Sequence, residues 1–304
     1  MDNLRIVMMN GGLGNQLYQY TFLRFLEVHT GQKCMVDDSA FWGDHVEHNG
    51  LELEKIFHIK LNKLSDFFTP DVWEEMIRQK EAGISIPQQL LDYGLNITMI
   101  AESNTYRFDG NVICVAPNRI TDEILSVFVN ARGNIYYFGY YVNTVYVNKM
   151  IGILRKELVF PPIQETMEKD TINKRYEELI RMTDSVAVHI RKGDFVKCGR
   201  SLPANKYAKG IRLLEEKGKE HTYFIFSDDI EWCKEHKKEL GLLDIRGDYF
   251  FVEENTGNGK NYIDMQLMSY CKDMIVSNSR FGCWAYYLNP YCSGGGSVIM
   301  ADNL

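Results

Sequence analysis

Leu4–Met9 is a short apolar run that stops at Asn10-Gly11-Gly12, the pattern of a buried strand entering a turn. Leu17, Tyr20, Leu23 and Leu26 then recur at helical spacing, which predicts a helix from about Asn15 to Thr30. Gly31 stands where a C-terminal cap belongs, and Cys34–Val36 reads as a second strand. Strand, glycine turn, helix and strand make a βαβ opening. Further on, the spacing predicts helices near 70–82 and 121–130 and a strand at Val112–Val115. Ile135–Val147 carries five tyrosines and a phenylalanine. Its β-propensity predicts a core or half-buried strand, and the alternative is an aromatic wall for a sugar ring.

Pro161-Pro162 interrupts the pattern, and a polar helical segment follows at about 164–183. A domain boundary is placed there, giving domains 1–162 and 163–304. Beyond it, strands at Ser185–Ile190, Thr222–Phe226, Tyr249–Val252, Met274–Ser277 and Ser297–Met300 are read. Helices at Ala204–Lys219, Asp229–Leu240, Tyr262–Cys271 and Phe281–Leu288 separate them. Alternating strands and helices imply an α/β fold with parallel sheets and right-handed crossovers.

Of the 304 residues, 45% are hydrophobic and 25% charged, enough for a sizeable core and too balanced for a disordered or coiled-coil chain. A net charge of −7 speaks against a nucleic-acid partner, so an anionic ligand would need a local cluster of cations and N–H groups. Seven cysteines without a C-x-x-C pair suggest reduced thiols in a cytoplasmic compartment. No secretory pattern and no membrane-spanning run is read, which leaves peripheral contact with an inner membrane as the one form of membrane association.

Ligands of open α/β sheets bind beyond the carboxyl ends of strands. Three polar clusters fall there: His189-Ile190-Arg191-Lys192-Gly193-Asp194, Ser227-Asp228-Asp229 and Ser277-Asn278-Ser279. The first joins a guanidinium fork, an ammonium and a glycine, as a pyrophosphate requires. The third opens a helix, whose N-terminus favours anions. Asn10–Gln16 is neither a G-x-G-x-x-G turn nor a Walker loop, and no clear ribose-binding acid closes the next strand, although Asp37 and Asp38 could be argued, so an NAD reading is poor. Adjacent Asp228 and Asp229 read as helix capping. The two histidines of His45-Val46-Glu47-His48 are too close for a helical zinc pair, so no metal site is expected.

GGLGNQLYQY, HIRKGD, FSDD and SNSRFGCWAYYLN, in that order over residues 11–289, resemble the motifs of the α-1,2-fucosyltransferase family, bacterial type. HIRKGD is shared with α-1,6- and protein O-fucosyltransferases. The resemblance implies a GT-B-like fold of two Rossmann-like domains facing a cleft. The N-terminal domain is then on the acceptor side, and the C-terminal one binds GDP-fucose. It implies inverting transfer of L-fucose to the 2-hydroxyl of a terminal β-galactose, without a metal or other cofactor, in O-antigen or capsule synthesis. The competing readings are a fucosyltransferase of another linkage and a non-catalytic glycan-binding protein on the same scaffold.

By the resemblance, Arg191 neutralises the leaving β-phosphate, Lys192 assists it, and His189 hydrogen-bonds phosphate or ribose. Ser277, Asn278 and Ser279 bind phosphate, and Asp264 accepts the guanine N–H groups. Asn15, with Gly12 and Gly14 of the glycine loop, faces the donor. Asp194 is the candidate base, or else orients Arg191, because Gly199 stands where the α-1,6 enzymes carry a glutamate. The chain departs from the family at Lys192, usually arginine, at Arg280, often serine, and at Cys283-Trp284, typically two aromatics. Tyr140 or Tyr141 is expected to stack on the acceptor.

Overall fold

A computed structural model describes residues 3–102, 108–117, 119–164, 168–255, 259–291 and 296–304. The chain forms two compact units, Met1–Val159 and Phe160–Leu304, dividing three residues before the boundary read from the sequence. Among the described residues no helix is long and apolar enough to cross a membrane.

The first unit runs β1 (Arg5–Met8), α1 (Leu13–Thr30), β2 (Met35–Asp37), α2 (Glu52–Phe57), α3 (Pro70–Glu81) and α4 (Ile86–Asp92). It continues with β3 (Ile97–Ala101), β4 (Asn111–Cys114), α5 (Asp122–Asn130), β5 (Asn134–Phe138) and α6 (Thr144–Glu157). Its five strands are parallel in the order β2-β1-β5-β3-β4. Helix α1 ends at Gly31, whose φ of 69° is the left-handed conformation that lets its N–H reach the Glu27 carbonyl. The helix is buried on more than one face: Leu17, Phe22, Leu23, Phe25 and Leu26 are all inside. Each such side chain contributes about 1.5–3 kcal/mol of apolar burial.

The tyrosine-rich run is not one strand. β5 stops at Phe138, and Asn143 accepts the Val145 N–H at 2.9 Å to cap α6. Capping chemistry here overrides the β-propensity of Tyr146 and Val147. Between the two elements, Tyr141 lies in the left-handed region at φ 52°. The Glu102 carboxylate holds it there, accepting the Tyr140 and Tyr141 N–H groups at 2.8 Å each. The Tyr141 ring stacks on Phe22 at 3.7 Å and is fully buried. Tyr141 is therefore core, and only Tyr140 offers an exposed ring.

The second unit runs α7 (Glu168–Met182), β6 (Ser185–Ile190), α8 (Gly193–Lys197), α9 (Ala204–Glu215), β7 (Thr222–Ser227) and α10 (Ile230–Glu235). Then come β8 (Tyr249–Val252), α11 (Tyr262–Tyr270), β9 (Asp273–Val276), α12 (Arg280–Leu288) and β10 (Val298–Met300). The sheet is again parallel, in the order β10-β9-β6-β7-β8. Every residue of β6 is buried, as the central strand of a sheet covered on both faces must be. Val186, Val188 and Ile190 pack with Tyr207 and Ile211 of α9 and with Ile225 and Ile275 of the neighbouring strands.

Candidate functional site

From β6 the second sheet grows outward to β7 and β8, then returns to lay β9 on the other side of β6. The crevice beyond the carboxyl ends of β6 and β9 is thus the point where strand order reverses, the usual ligand position in such sheets. Register places His189 beside Val276, so the residues after both strands emerge together. His189 meets Ser277 there, and Asn278 joins the loop after β6 through the Arg200 carbonyl.

His189 is buried, with Nδ1 2.9 Å from the Ser277 Oγ. Burial, with the Arg191 charge adding, pulls its imidazole down to about 3, so the ring is neutral near pH 7. Gly282 of α12 packs directly against it: a Cβ there would lie 2.6 Å from Nδ1. The Ser277 hydroxyl is therefore a support of His189 and is fully buried with it. The buried Tyr207 phenol is raised by desolvation, with the Arg191 backbone and Ser277 pulling the other way.

Arg191 is held by two carboxylates, Asp194 at 2.8 Å and Asp228 at 3.2 Å. Asp228 also accepts the Lys192 N–H at 2.7 Å. The approach is so close that a Cβ on Gly193 would meet Asp228 at 2.3 Å. Asp228 is thus the brace of the basic loop, whereas Asp229 does cap α10, accepting the Trp232 N–H at 3.1 Å. Lys192 turns away from the crevice. Its ammonium donates to the Leu202 carbonyl at 3.1 Å and lies 3.4 Å from the Trp232 ring centre. It is buried, and burial lowers its pKa.

Phe195 and Arg200 were not singled out in the sequence. The Arg191 and Arg200 guanidinium carbons lie 5.5 and 4.6 Å from the same Phe195 ring centre, hence within about 10 Å of each other. The Arg200 carbonyl accepts the Asn278 amide at 3.1 Å, so Asn278 ties this loop to the end of β9. No spacing rule links residues 191, 195 and 200, because a short helix and a turn bring them together. Ser279 is the N-cap of α12 and makes no capping bond with its side chain. Its hydroxyl and the first N–H groups of a nine-residue helix form the anion-directed end of the crevice.

Asp264 lies in the first turn of α11, a helix that enters from the carboxyl end of β8 and packs against α12. Its carboxylate accepts the Asn255 amide at 2.7 Å, and Asn255 exchanges two amide bonds with Asn173. Burial pushes Asp264 up to about 7, with Glu254 adding and the Asn255 bond opposing.

Gly12, Gly14 and Asn15 stand in the first unit, at the start of α1. Gly11 has φ 73°, and the Asn15 amide covers it so closely that a Cβ on Gly11 would lie 2.3 Å from it. The Gly11 N–H donates to Glu47 at 2.6 Å and the Leu13 N–H to Glu52 at 3.0 Å. Carboxylates of this chain thus occupy N–H groups that a phosphate would use. His48 packs against Gly12, so the His45–His48 segment serves the loop. Among the described residues no group of three or more His, Cys, Asp or Glu side chains is placed to hold a metal.

The model of glycosyl transferase family 11 matches residues 121–303. The alpha-1,2-colitosyltransferase of Escherichia coli is 28% identical over 299 residues, covering 95% of this chain and 89% of its own. The O-antigen biosynthesis glycosyltransferase WbnK of Escherichia coli is 23% identical over 309 residues, covering 93% and 89%. Among solved structures, the NodZ alpha-1,6-fucosyltransferase soaked with GDP-fucose matches with a TM-score of 0.51 at 14% identity, over 95% of this chain and 94% of that one. That likeness shows the fold, which is GT-B-like with two parallel sheets flanked by helices.

Proposed function

The chain belongs to glycosyl transferase family 11, and from that premise we propose that it transfers L-fucose from GDP-fucose to the 2-hydroxyl of a terminal β-galactose, with inversion and without a metal. The observation that carries the reading is Arg191 after the central strand β6, held by Asp194 and Asp228, in the sheet whose next strand end opens α12 at Ser279. In the reaction the acceptor oxygen bonds to C1 of the fucose and passes its proton to water, while the bond from C1 to the β-phosphate oxygen breaks and its electron pair stays on that oxygen. Negative charge grows on that oxygen. A guanidinium and helix N–H groups already in place stabilise it without reorganisation.

In this reading the Ser277 hydroxyl donates to Nδ1 of His189, which leaves the proton on Nε2 as a neutral donor toward phosphate or ribose. Ser279 and the first turn of α12 receive the second phosphate. Asp264, ionised, accepts from the guanine edge. Asp194 acts by orienting Arg191, the alternative its ion pair favours over a role as base. Lys192 supports the loop from inside.

The similarity to an alpha-1,2-colitosyltransferase favours a second reading, in which colitose is the sugar moved to the same position. An O-antigen repeat is the glycan that the WbnK relative suggests. The test is incubation with GDP-fucose or GDP-linked colitose and a panel of β-galactosides in EDTA, followed by linkage analysis. An α-1,2-linked product from one donor supports the corresponding reading. A product of another linkage, or none from either donor, refutes both.

A further inference from the structure

Arg191 brings less positive charge to its surroundings than its residue type suggests. Its guanidinium pairs with both Asp194 and Asp228, so this cluster is net negative before any ligand arrives. The terminal phosphate of a nucleoside diphosphate alone adds about −1.5 to −2 at neutral pH. Lys192, next in the chain, offers such a ligand no N–H group, because its ammonium is buried on the Leu202 carbonyl and the Trp232 ring. A diphosphate held at Arg191 therefore calls for a further cation.

Arg200 stands where one is needed. Its backbone is fixed from both sides. Gly199, left-handed at φ 65°, turns the chain back after α8. The Arg200 N–H then donates to the Phe195 carbonyl at 2.8 Å, and the Ser201 N–H to the same oxygen at 3.1 Å. The Arg200 carbonyl accepts the Asn278 amide at 3.1 Å, which ties it to the segment that opens α12. The side chain itself is exposed, and among the described residues its guanidinium makes no ion pair and donates no hydrogen bond. Its one contact is with the Phe195 ring, 4.6 Å from the guanidinium carbon, the same ring that Arg191 approaches at 5.5 Å. A cation–π contact attracts the charge and leaves the five N–H donors for a ligand. Phe195 is thus a platform shared by two guanidinium groups, one balanced by carboxylates and the other not.

We propose that Arg200 binds the donor's diphosphate together with Arg191 and supplies the net positive charge that the paired Arg191 lacks. The proposal rests on the GDP-sugar reading above. A diphosphate is charged before transfer as well as during it, so Arg200 acts equally on both states: it tightens donor binding and leaves kcat nearly unchanged.

The test is calorimetric titration of the full chain with GDP, GMP and guanosine in EDTA, for the wild type, Arg200→Gln, Arg200→Lys and Lys197→Gln. Lys197, exposed in the last turn of α8, controls for the loss of a charge from the same loop. Both positions are exposed, and melting checks that every variant stays folded. Arg200→Gln is expected to weaken GDP at least about tenfold, the loss of a hydrogen bond between charged groups. GMP should lose less and guanosine nothing. Arg200→Lys should recover only part of the loss, because a point charge does not reproduce the fork. Lys197→Gln should bind GDP as the wild type does. In turnover, Arg200→Gln should raise the GDP-fucose KM and keep its kcat. Equal GDP affinity in the wild type and Arg200→Gln, an equal loss in Lys197→Gln, an equal loss for guanosine, or a loss confined to kcat overturns the proposal. Failure of the GDP-sugar reading looks different: the wild type itself would bind GDP no more tightly than guanosine, and the proposal would fall with it.

Discussion

At the scale of single residues, the basic motif divides into two opposite roles. Arg191 stands partly exposed between two carboxylates, and Lys192 points inward under Trp232. Arg191→Lys keeps the charge and loses the fork that meets two oxygens at once. On the proposed role the charge it answers develops on the leaving group, so kcat should fall on the order of 10²–10³-fold at saturating GDP-fucose, roughly 3–4 kcal/mol. Near-full turnover would refute the role. Lys192→Ala should instead lower stability, by about 1–3 kcal/mol, through a lost buried contact and an unpaired Leu202 carbonyl. Thermal melting reads this, and an unchanged Tm would contradict the buried placement. The sequence reading had Lys192 assist Arg191 at the phosphate, and its buried ammonium corrects this. The motif was legible because its chemistry is contiguous. Phe195, Arg200 and Tyr207 were not, because their part depends on folding of the turns after β6.

At the scale of elements, the sheet-helix junction depends on how closely α12 approaches β6. Gly282, in the first turn of α12, would ordinarily favour alanine, by up to about 1 kcal/mol in a helix interior. Here an added Cβ would lie 2.6 Å from both His189 Nδ1 and Val276 Cγ1, so the usual sign should reverse. Gly282→Ala is expected to lower the Tm and to weaken GDP binding, since it displaces the ring that Ser277 orients. A raised Tm with unchanged GDP affinity would show that the helix moves aside freely. Most elements of the second unit were readable, because short apolar runs alternate there with longer amphipathic ones. Helix α10 is shorter than its pattern, ending at Glu235. The first unit was harder. β3 was not read although Gly94 and Asn96 mark a turn before it, and β4 is an exposed edge strand. At the end of the Ile135–Val147 stretch, a single asparagine cap converted strand propensity into helix from Thr144 on.

At the scale of the whole molecule, two Rossmann-like units are each organised around their own strand-order reversal, and their chemistry differs. The second gathers cations and helix N–H groups, whereas the first fills its helix N-terminus with its own carboxylates. Protonation should mark the division. With Asp264 raised to about 7, its carboxylate is lost as pH falls below that value, and GDP affinity should fall with it. For folding the sign is opposite. Between the ordinary aspartate range and pH 7 the folded state keeps a proton that the unfolded chain has released, so this group's ionisation lowers stability as pH rises and levels off above 7. Asp264→Asn should flatten both trends; calorimetric Kd values and melting curves from pH 5.5 to about 8.5 compare them. The most direct test of the central claim, that the β6–β9 crevice holds the nucleotide pyrophosphate through Arg191, is calorimetric titration of GDP in EDTA into the wild-type chain and Arg191→Ala. The account predicts one metal-independent site in the wild type and at least tenfold weaker binding in the folded variant, the loss expected for a charged hydrogen bond. Equal affinity in the two proteins, or binding that appears only when Mn²⁺ is restored, would contradict it.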